Sequence, residues 1–207
     1  RVAALDPATG TALASFNASA SSTVFALAHH AGRVYLGGWF ASVNGAQRLK
    51  LAAVDGGTGA LVPGFVASAN DTVTGLVVVP ETQTLAVAGA FTSLGGAARR
   101  FLGSVSLTTG ATRSWAPPAD CADCTLLGVT SAFGLVFGAV AGPGGRATAW
   151  SATTGARRWS QWGDGDVQAG TGGGDTLYAG GDFAPRFGAG GGTAGHRRGN
   201  APLPAGR

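Results

Sequence analysis

Apolar residues along this chain come in short bursts cut by small polar and glycine-rich breaks. In the first fifty residues four bursts read as strands, over 2–6, 11–16, 23–29 and 33–40. They are separated by Pro7-Ala8-Thr9-Gly10, by a Ser/Ala-rich stretch and by Ala31-Gly32. Several bursts are apolar on both faces, as in Leu76-Val77-Val78-Val79, so the strands they predict are covered on both sides.

The pattern repeats. Val2-Ala3-Ala4-Leu5-Asp6-Pro7-Ala8-Thr9-Gly10 returns as Leu51-Ala52-Ala53-Val54-Asp55-Gly56-Gly57-Thr58-Gly59 and as Leu102-Gly103-Ser104-Val105-Ser106-Leu107-Thr108-Thr109-Gly110. A looser copy runs from Ala147 to Thr154-Gly155. An aromatic follows each pair: Phe16, Phe65, Trp115 and Trp159. A second marker keeps the same period, in Val34-Tyr35-Leu36-Gly37-Gly38-Trp39-Phe40, Leu85-Ala86-Val87-Ala88-Gly89-Ala90-Phe91 and Leu177-Tyr178-Ala179-Gly180-Gly181-Asp182-Phe183, with a worn version at 135–140. Two markers sharing one period identify a repeat architecture.

Four strands per unit, each unit hiding its two faces against its neighbours, predict an all-β fold: a β-propeller of about four four-stranded blades. The units divide as 1–47, 48–98, 99–145 and 146–187. Residues 188–207 read as a Gly-rich loop and the start of a degenerate fifth repeat, in which Pro202 and Pro204 oppose central-strand pairing. About four units is the low end of the known range, which favours an arc cut from a larger propeller. The chain has no Met and starts at Arg1, as a processed chain or a segment of something longer would.

Composition narrows the class. Of 207 residues 37 are Gly, and only 12% are charged, with a single Lys and a single Glu, which removes an all-helical fold and charge-driven disorder. No apolar run reaches the roughly 20 residues that span a bilayer, so direct membrane insertion is not expected.

The strand ending in Leu-Asp, the Thr-Gly turn, the following aromatic and Val-Tyr-x-Gly-Gly-x-Phe resemble β-propeller repeats of the delta-60 type and the propeller of Rax2-like cortical polarity markers. The likeness spans most of residues 1–187. It implies a surface or secreted module that scaffolds and binds, without naming a ligand; protein partners in a surface or extracellular assembly, and glycans, are the expected class. The stretch from Ala149 to Trp159 also resembles the tryptophan-docking repeat of quinoprotein alcohol dehydrogenases, whose adjacent cysteines and carboxylate-held Ca²⁺ have no counterpart here.

Candidate chemistry is sparse. Asn17-Ala18-Ser19 and Asn70-Asp71-Thr72 are N-glycosylation sequons at comparable places in successive units. Cys121 and Cys124, two residues apart, suit a local disulfide; no matching Cys or His pair offers zinc ligation. Arg48, Arg99, Arg100, Arg146, Arg197 and Arg198 precede the first strand of successive units, which makes them candidates for an anion-binding ring or, more plainly, for bonds to carboxylates or to carbonyls between blades. No basic cluster is interleaved with aromatics, which argues against nucleic acid. Asp164, Asp166 and Asp175 imitate a calcium loop but lack its Gly and Glu, so no metal is expected. His29 and His30 end a strand and point to opposite faces. Tyr35, Tyr178, Trp39, Phe91 and Phe183 read as core between blades. No nucleophile elbow or phosphate loop occurs. These readings converge on a non-enzymatic extracellular or cell-surface module without a cofactor, with structural, adhesive or scaffolding work in a glycoprotein assembly. The alternative is a carbohydrate-binding or carbohydrate-cleaving propeller using Asp164, Asp166 and Asp182 at the channel mouth.

Overall fold

The computed structural model describes residues 2–118, 124–142 and 145–183 and the backbone of 201–204. The chain is all-β, and among the described residues the one helical turn is a 3-10 turn at Pro80–Thr82. The main strands form four antiparallel sheets. The first contains β1 (Val24–His30), β2 (Arg33–Gly38) and β5 (Leu51–Asp55). Between β2 and β5 lies a small hairpin of β3 (Ser42–Val43) and β4 (Ala46–Gln47). The second sheet contains β6 (Val73–Val79), β7 (Thr84–Gly89) and β10 (Leu102–Ser106), with the matching hairpin of β8 (Ser93–Leu94) and β9 (Ala97–Ala98). The third is a four-stranded meander of β11 (Thr125–Ala132), β12 (Leu135–Ala141), β13 (Arg146–Ser151) and β14 (Arg157–Trp162). The fourth contains β15 (Val167–Gly173), β16 (Thr176–Gly181) and β17 (Ala201–Pro204).

The sheets are out of phase with the sequence repeat. Each takes its first two strands from one unit and its third from the next, so β2 pairs with β5 across the expected boundary at residue 47. The stretches 2–6 and 11–16, expected as strands, make only isolated bridges, among them Leu5 with Ala12. Their repeat equivalents at Leu51–Asp55 pair with β2, whereas among the described residues no strand takes the place of β2 beside residues 2–6. The expected strand at 11–16 has the same fate in the next two units, where Val54 meets Leu61 and Val105 meets Thr112 as single bridges. The proline-bearing tail does pair: β17 lies along β16, with Leu203 opposite Leu177. Its prolines sit on the third strand of a sheet for which no fourth strand is described, consistent with the confinement of proline to sheet edges.

Successive sheets pack through their first strands, β1 against β6, β6 against β11 and β11 against β15. The core lies between them. Tyr35, Leu51 and Ala53 of the first sheet meet Leu76, Leu85 and Val87 of the second. Ala86, Ala88 and Leu102 of the second meet Leu126, Val136 and Trp150 of the third. Phe137 and Ala149 of the third meet Leu177 of the fourth. Alternation explains this: on β7, Leu85 and Val87 face back while Ala86 and Ala88 face forward. Fully burying one such side chain stabilises by about 1.5–3 kcal/mol, and no sheet can bury both faces without a neighbour.

The Gly-Gly marker has a steric cause. The carbonyl of the residue before each first strand runs against it, so a Cβ on Gly38, Gly89 or Gly181 would collide with the carbonyl of Thr23, Thr72 or Asp166.

Candidate functional site

The repeated polar residues sit at the Thr-Gly corners. Asp6 Oδ1 accepts from the amides of Ala8 and Thr9, both at 2.9 Å, and from the Thr9 hydroxyl at 3.0 Å. Asp55 Oδ1 does the same for Gly57, Thr58 and the Thr58 hydroxyl at 3.1, 2.8 and 2.8 Å. Ser106 and Ser151 hold the other two corners more weakly, through Thr109 and Thr154 amides at 3.4 and 3.2 Å. All four corners end in a left-handed glycine, with φ of 71°, 75°, 75° and 74° at Gly10, Gly59, Gly110 and Gly155. The donors hold both aspartates below the ordinary carboxylate range. For Asp6 the Thr9 amide acts most strongly, and for Asp55 the Thr58 hydroxyl.

The arginines do not stand together as a ring of unengaged charges. Arg48 directs Nη1 to the Gln47 carbonyl at 2.8 Å and Nη2 to that of Pro63 at 3.4 Å. Arg99 repeats the arrangement with the carbonyls of Ala98 and Arg113, at 2.8 and 2.7 Å. These two brace carbonyls of the preceding residue and of the loop 14 or 15 residues on. Arg100 is exposed beside the Phe101 ring. Arg146 is a different case. It lies at the start of β13, where its repeat equivalents are Lys50 and Phe101, and it is buried with its guanidinium 3.6 Å over the Trp162 ring. Arg197 and Arg198 lie outside the described residues.

The two sequons are not equivalent. Asn17 is exposed, and its amide donates to the Thr58 carbonyl at 2.8 Å, a role taken in the next unit by Val66 toward Thr109. Asn70 matches Ser21. Asn70 Oδ1 accepts from the amides of Thr92 and Ser93 at 3.0 and 2.9 Å, and its Nδ2 donates to the Thr92 hydroxyl at 2.9 Å. Ser21 Oγ receives the amides of Ala41 and Ser42 in the same way. Asn44, which the sequence reading passed over, ties Ser19 to the next corner: its Oδ1 accepts from the Ser19 amide at 2.8 Å and its Nδ2 donates to the Gly59 carbonyl at 2.9 Å.

Cys124 is buried among Leu126, Val140 and Trp150, and Cys121 lies outside the described residues. Among the described residues no cluster of three potential metal ligands occurs. Asp166 Oδ1 accepts from the Gly142 amide at 3.2 Å, while Asp175 sits beyond the far end of β15, a strand of seven residues, or about 23 Å. They cannot share an ion. Asp164 and Asp182 have interactions of their own. His29 is exposed and His30 half-buried, as strand alternation requires. Of the expected core aromatics, Tyr35, Phe91 and Phe183 are buried, whereas Trp39 and Tyr178 stand half out of the surface. Lys50 Nζ lies 3.9 Å from the centre of the Trp39 ring.

No protein-family model matches the chain, and no curated protein does. Solved structures do. The chain is similar to the computationally designed protein Ika8, with a TM-score of 0.59 at 16% identity over 83% of this chain and 46% of that one. It is also similar to the computationally designed protein Ika4, with a TM-score of 0.57 at 16% identity over 78% and 87% of the two chains. The chain therefore spans under half the length of Ika8. At 16% identity the likeness is one of fold. Among the described residues no helix is long and apolar enough to cross a membrane.

Proposed function

We propose that this chain is a β-propeller module, or an arc of one, that works without catalysis as a scaffolding or adhesive part of an extracellular or cell-surface glycoprotein. One observation carries the reading: the polar side chains that recur with the repeat hold the scaffold itself. Asp6 and Asp55 fold corners, Asn70 and Ser21 clamp hairpins, and Arg48 and Arg99 brace carbonyls. The order in which the sheets pack, each through its first strand, supports a radial arrangement. The exposed sequon at Asn17 supports the location, and a bond between Cys121 and Cys124 belongs to the same proposal. Peptide mass spectrometry of native material tests it. Hexose on Asn17 together with a Cys121–Cys124 bond is expected; unmodified asparagines with free thiols would overturn the surface assignment.

A glycan-binding reading has one specific observation in its favour, the exposed indole of Trp39 beside Lys50. Quenching of Trp fluorescence on titration with an acidic oligosaccharide, abolished by Trp39→Ala, would establish it.

A further inference from the structure

Asn44 and Gly45 form the two-residue turn of the β3–β4 hairpin, with φ of 50° and 80°. Of the four asparagines in the sequence, Asn44 alone precedes a glycine. Among the described residues the Gly45 amide donates to no acceptor, and nothing lies within 4 Å of the place a Gly45 Cβ would take. The nitrogen that follows the Asn44 carboxamide is therefore exposed and unengaged.

The carboxamide itself is a tie between units. Its Oδ1 accepts from the Ser19 amide at 2.8 Å, and its Nδ2 donates to the Gly59 carbonyl at 2.9 Å, at the corner after β5. The second unit makes the same turn without an asparagine. Gly95 and Gly96 have φ of 56° and 82°. The Gly95 amide donates to the Ser68 carbonyl at 2.7 Å, as the Asn44 amide does to that of Ser19 at 2.8 Å. That hairpin is held instead by the Thr112 hydroxyl, which donates to the Leu94 carbonyl at 2.9 Å. A hydroxyl and two glycines thus do in the second unit what a hydrolysable carboxamide does in the first, so the turn itself does not require the labile pair.

We propose that Asn44 is a site of spontaneous deamidation, and that its conversion releases the first unit's loop from the second unit's corner. The Gly45 nitrogen, having lost its proton to solvent, attacks Asn44 Cγ. The N–Cγ bond forms, the Cγ–Nδ2 bond breaks, and Nδ2 leaves as ammonia after taking up a proton from water. Water then opens the cyclic imide at either carbonyl, leaving aspartate or isoaspartate. The two ties act in opposite senses. The Ser19 amide points at the oxygen that gains negative charge during attack. The bond from Nδ2 to Gly59 holds the carboxamide in place and must open first. Either product can still accept from Ser19, but neither carboxylate has a hydrogen to give the Gly59 carbonyl. Isoaspartate also adds a backbone carbon to a turn whose register pairs Val43 with Ala46.

Incubation of the 207-residue chain at neutral and mildly alkaline pH, followed by peptide mass spectrometry, tests the site. Conversion is expected at Asn44 while Asn17 and Asn70 stay intact, and it should be faster in alkali. It should run roughly tenfold slower than in a peptide spanning 40–48, because a hydrogen bond and the turn must open. Urea below the unfolding transition should narrow that gap. Gly45→Ala should slow conversion in the peptide, where folding plays no part. Release of the loop should appear as faster amide exchange at Asn17 and Ser19, in Asn44→Asp as in the incubated chain. An Asn44 that stays intact while the peptide converts, or a rate indifferent to pH, overturns the site. Unchanged exchange in Asn44→Asp overturns the release.

Discussion

Tyr35 and Phe65 meet edge to face at 5.3 Å on the face the first sheet turns to the second, and the Tyr35 hydroxyl reaches the Leu107 carbonyl of the second sheet. Leu107 O also accepts from Arg33 Nη1 at 3.2 Å, so it keeps a partner if the phenol oxygen is removed. Tyr35→Phe should therefore cost about 1 kcal/mol or less. Tyr35→Ala removes the ring from a buried site and should cost about 3–5 kcal/mol. Urea denaturation of both variants checks the pair; equal losses would mean that the hydroxyl, not the ring, holds the sheets together.

The acid limb of stability should report the Thr-Gly corners. Asp6 and Asp55 have folded-state values below the ordinary 3.8, held there chiefly by the Thr9 amide and the Thr58 hydroxyl. A carboxylate with a depressed folded value stabilises the fold fully above the unfolded value and loses that contribution as pH falls through the folded one. Asp55→Asn should thus be less stable than the native chain at neutral pH, with the gap closing as acid titrates past the folded value. Chemical denaturation at a series of pH values measures it; a gap independent of pH would show that the corner does not sense the charge.

Glycine substitutions should separate collision from conformation. A Cβ on Gly38 would meet the Thr23 carbonyl, a backbone atom that cannot swing aside, whereas Gly45 has φ of 80° and open space around it. Gly45→Ala should cost about 1–2 kcal/mol from the left-handed backbone alone. Gly38→Ala should cost more, about 3 kcal/mol, and shift the amide resonances of β1. Thermal melts order the two, and the reverse order would mean that the strand can move away.

The corners were legible because each is a local device: an Asp or Ser acceptor, a Thr three residues on and a Gly after it. The burial of both faces of β6 and β7 was legible in runs that are apolar at every position, such as Leu76-Val77-Val78-Val79. The phase of the sheets was not. A cyclic pattern reads the same from any starting strand, and only pairing shows that β5 belongs with β2. Asn44-Gly45 carries a plain two-residue hairpin signal that the four-strand reading left unused, and the hairpin of β3 and β4 is built on it. Arg48 and Arg99 were ambiguous for another reason: their acceptors are carbonyls, which every residue owns, so nothing in the amino-acid order marks them. Neither did it reveal that Asn70 is a clamp: Asn70 stands 49 residues after Ser21, in step with Phe16 and Phe65, but Ser and Asn are different residues whose shared acceptor role shows only in the bonds they make.

That clamp separates the sequons. Both carboxamide atoms of Asn70 are engaged with Thr92 and Ser93, while the Asn17 side chain is exposed. Glycan occupancy in a secretory host should be higher at Asn17 than at Asn70. Asn70→Ala should cost about 1–2 kcal/mol, because two loop amides lose their acceptor at an exposed site where water replaces part of it. Glycopeptide quantitation and denaturation test the two halves separately; full occupancy at Asn70 with no change in stability would show that the clamp opens freely.

The arginines should likewise divide by role. Arg48 and Arg99 each span two carbonyls, so replacing either with Ala removes a brace and lowers stability by about 1–3 kcal/mol. Arg100 is exposed, and its charge contributes to the field that an anionic surface would sense. Arg100→Ala should bring elution from a heparin column to lower salt. Arg99→Ala should lower the melting temperature, since both of its carbonyl bonds are lost. If Arg48 and Arg99 shift heparin elution without loss of stability, the guanidinium groups leave their carbonyls for the anion, and the ring of arginines is a binding surface after all.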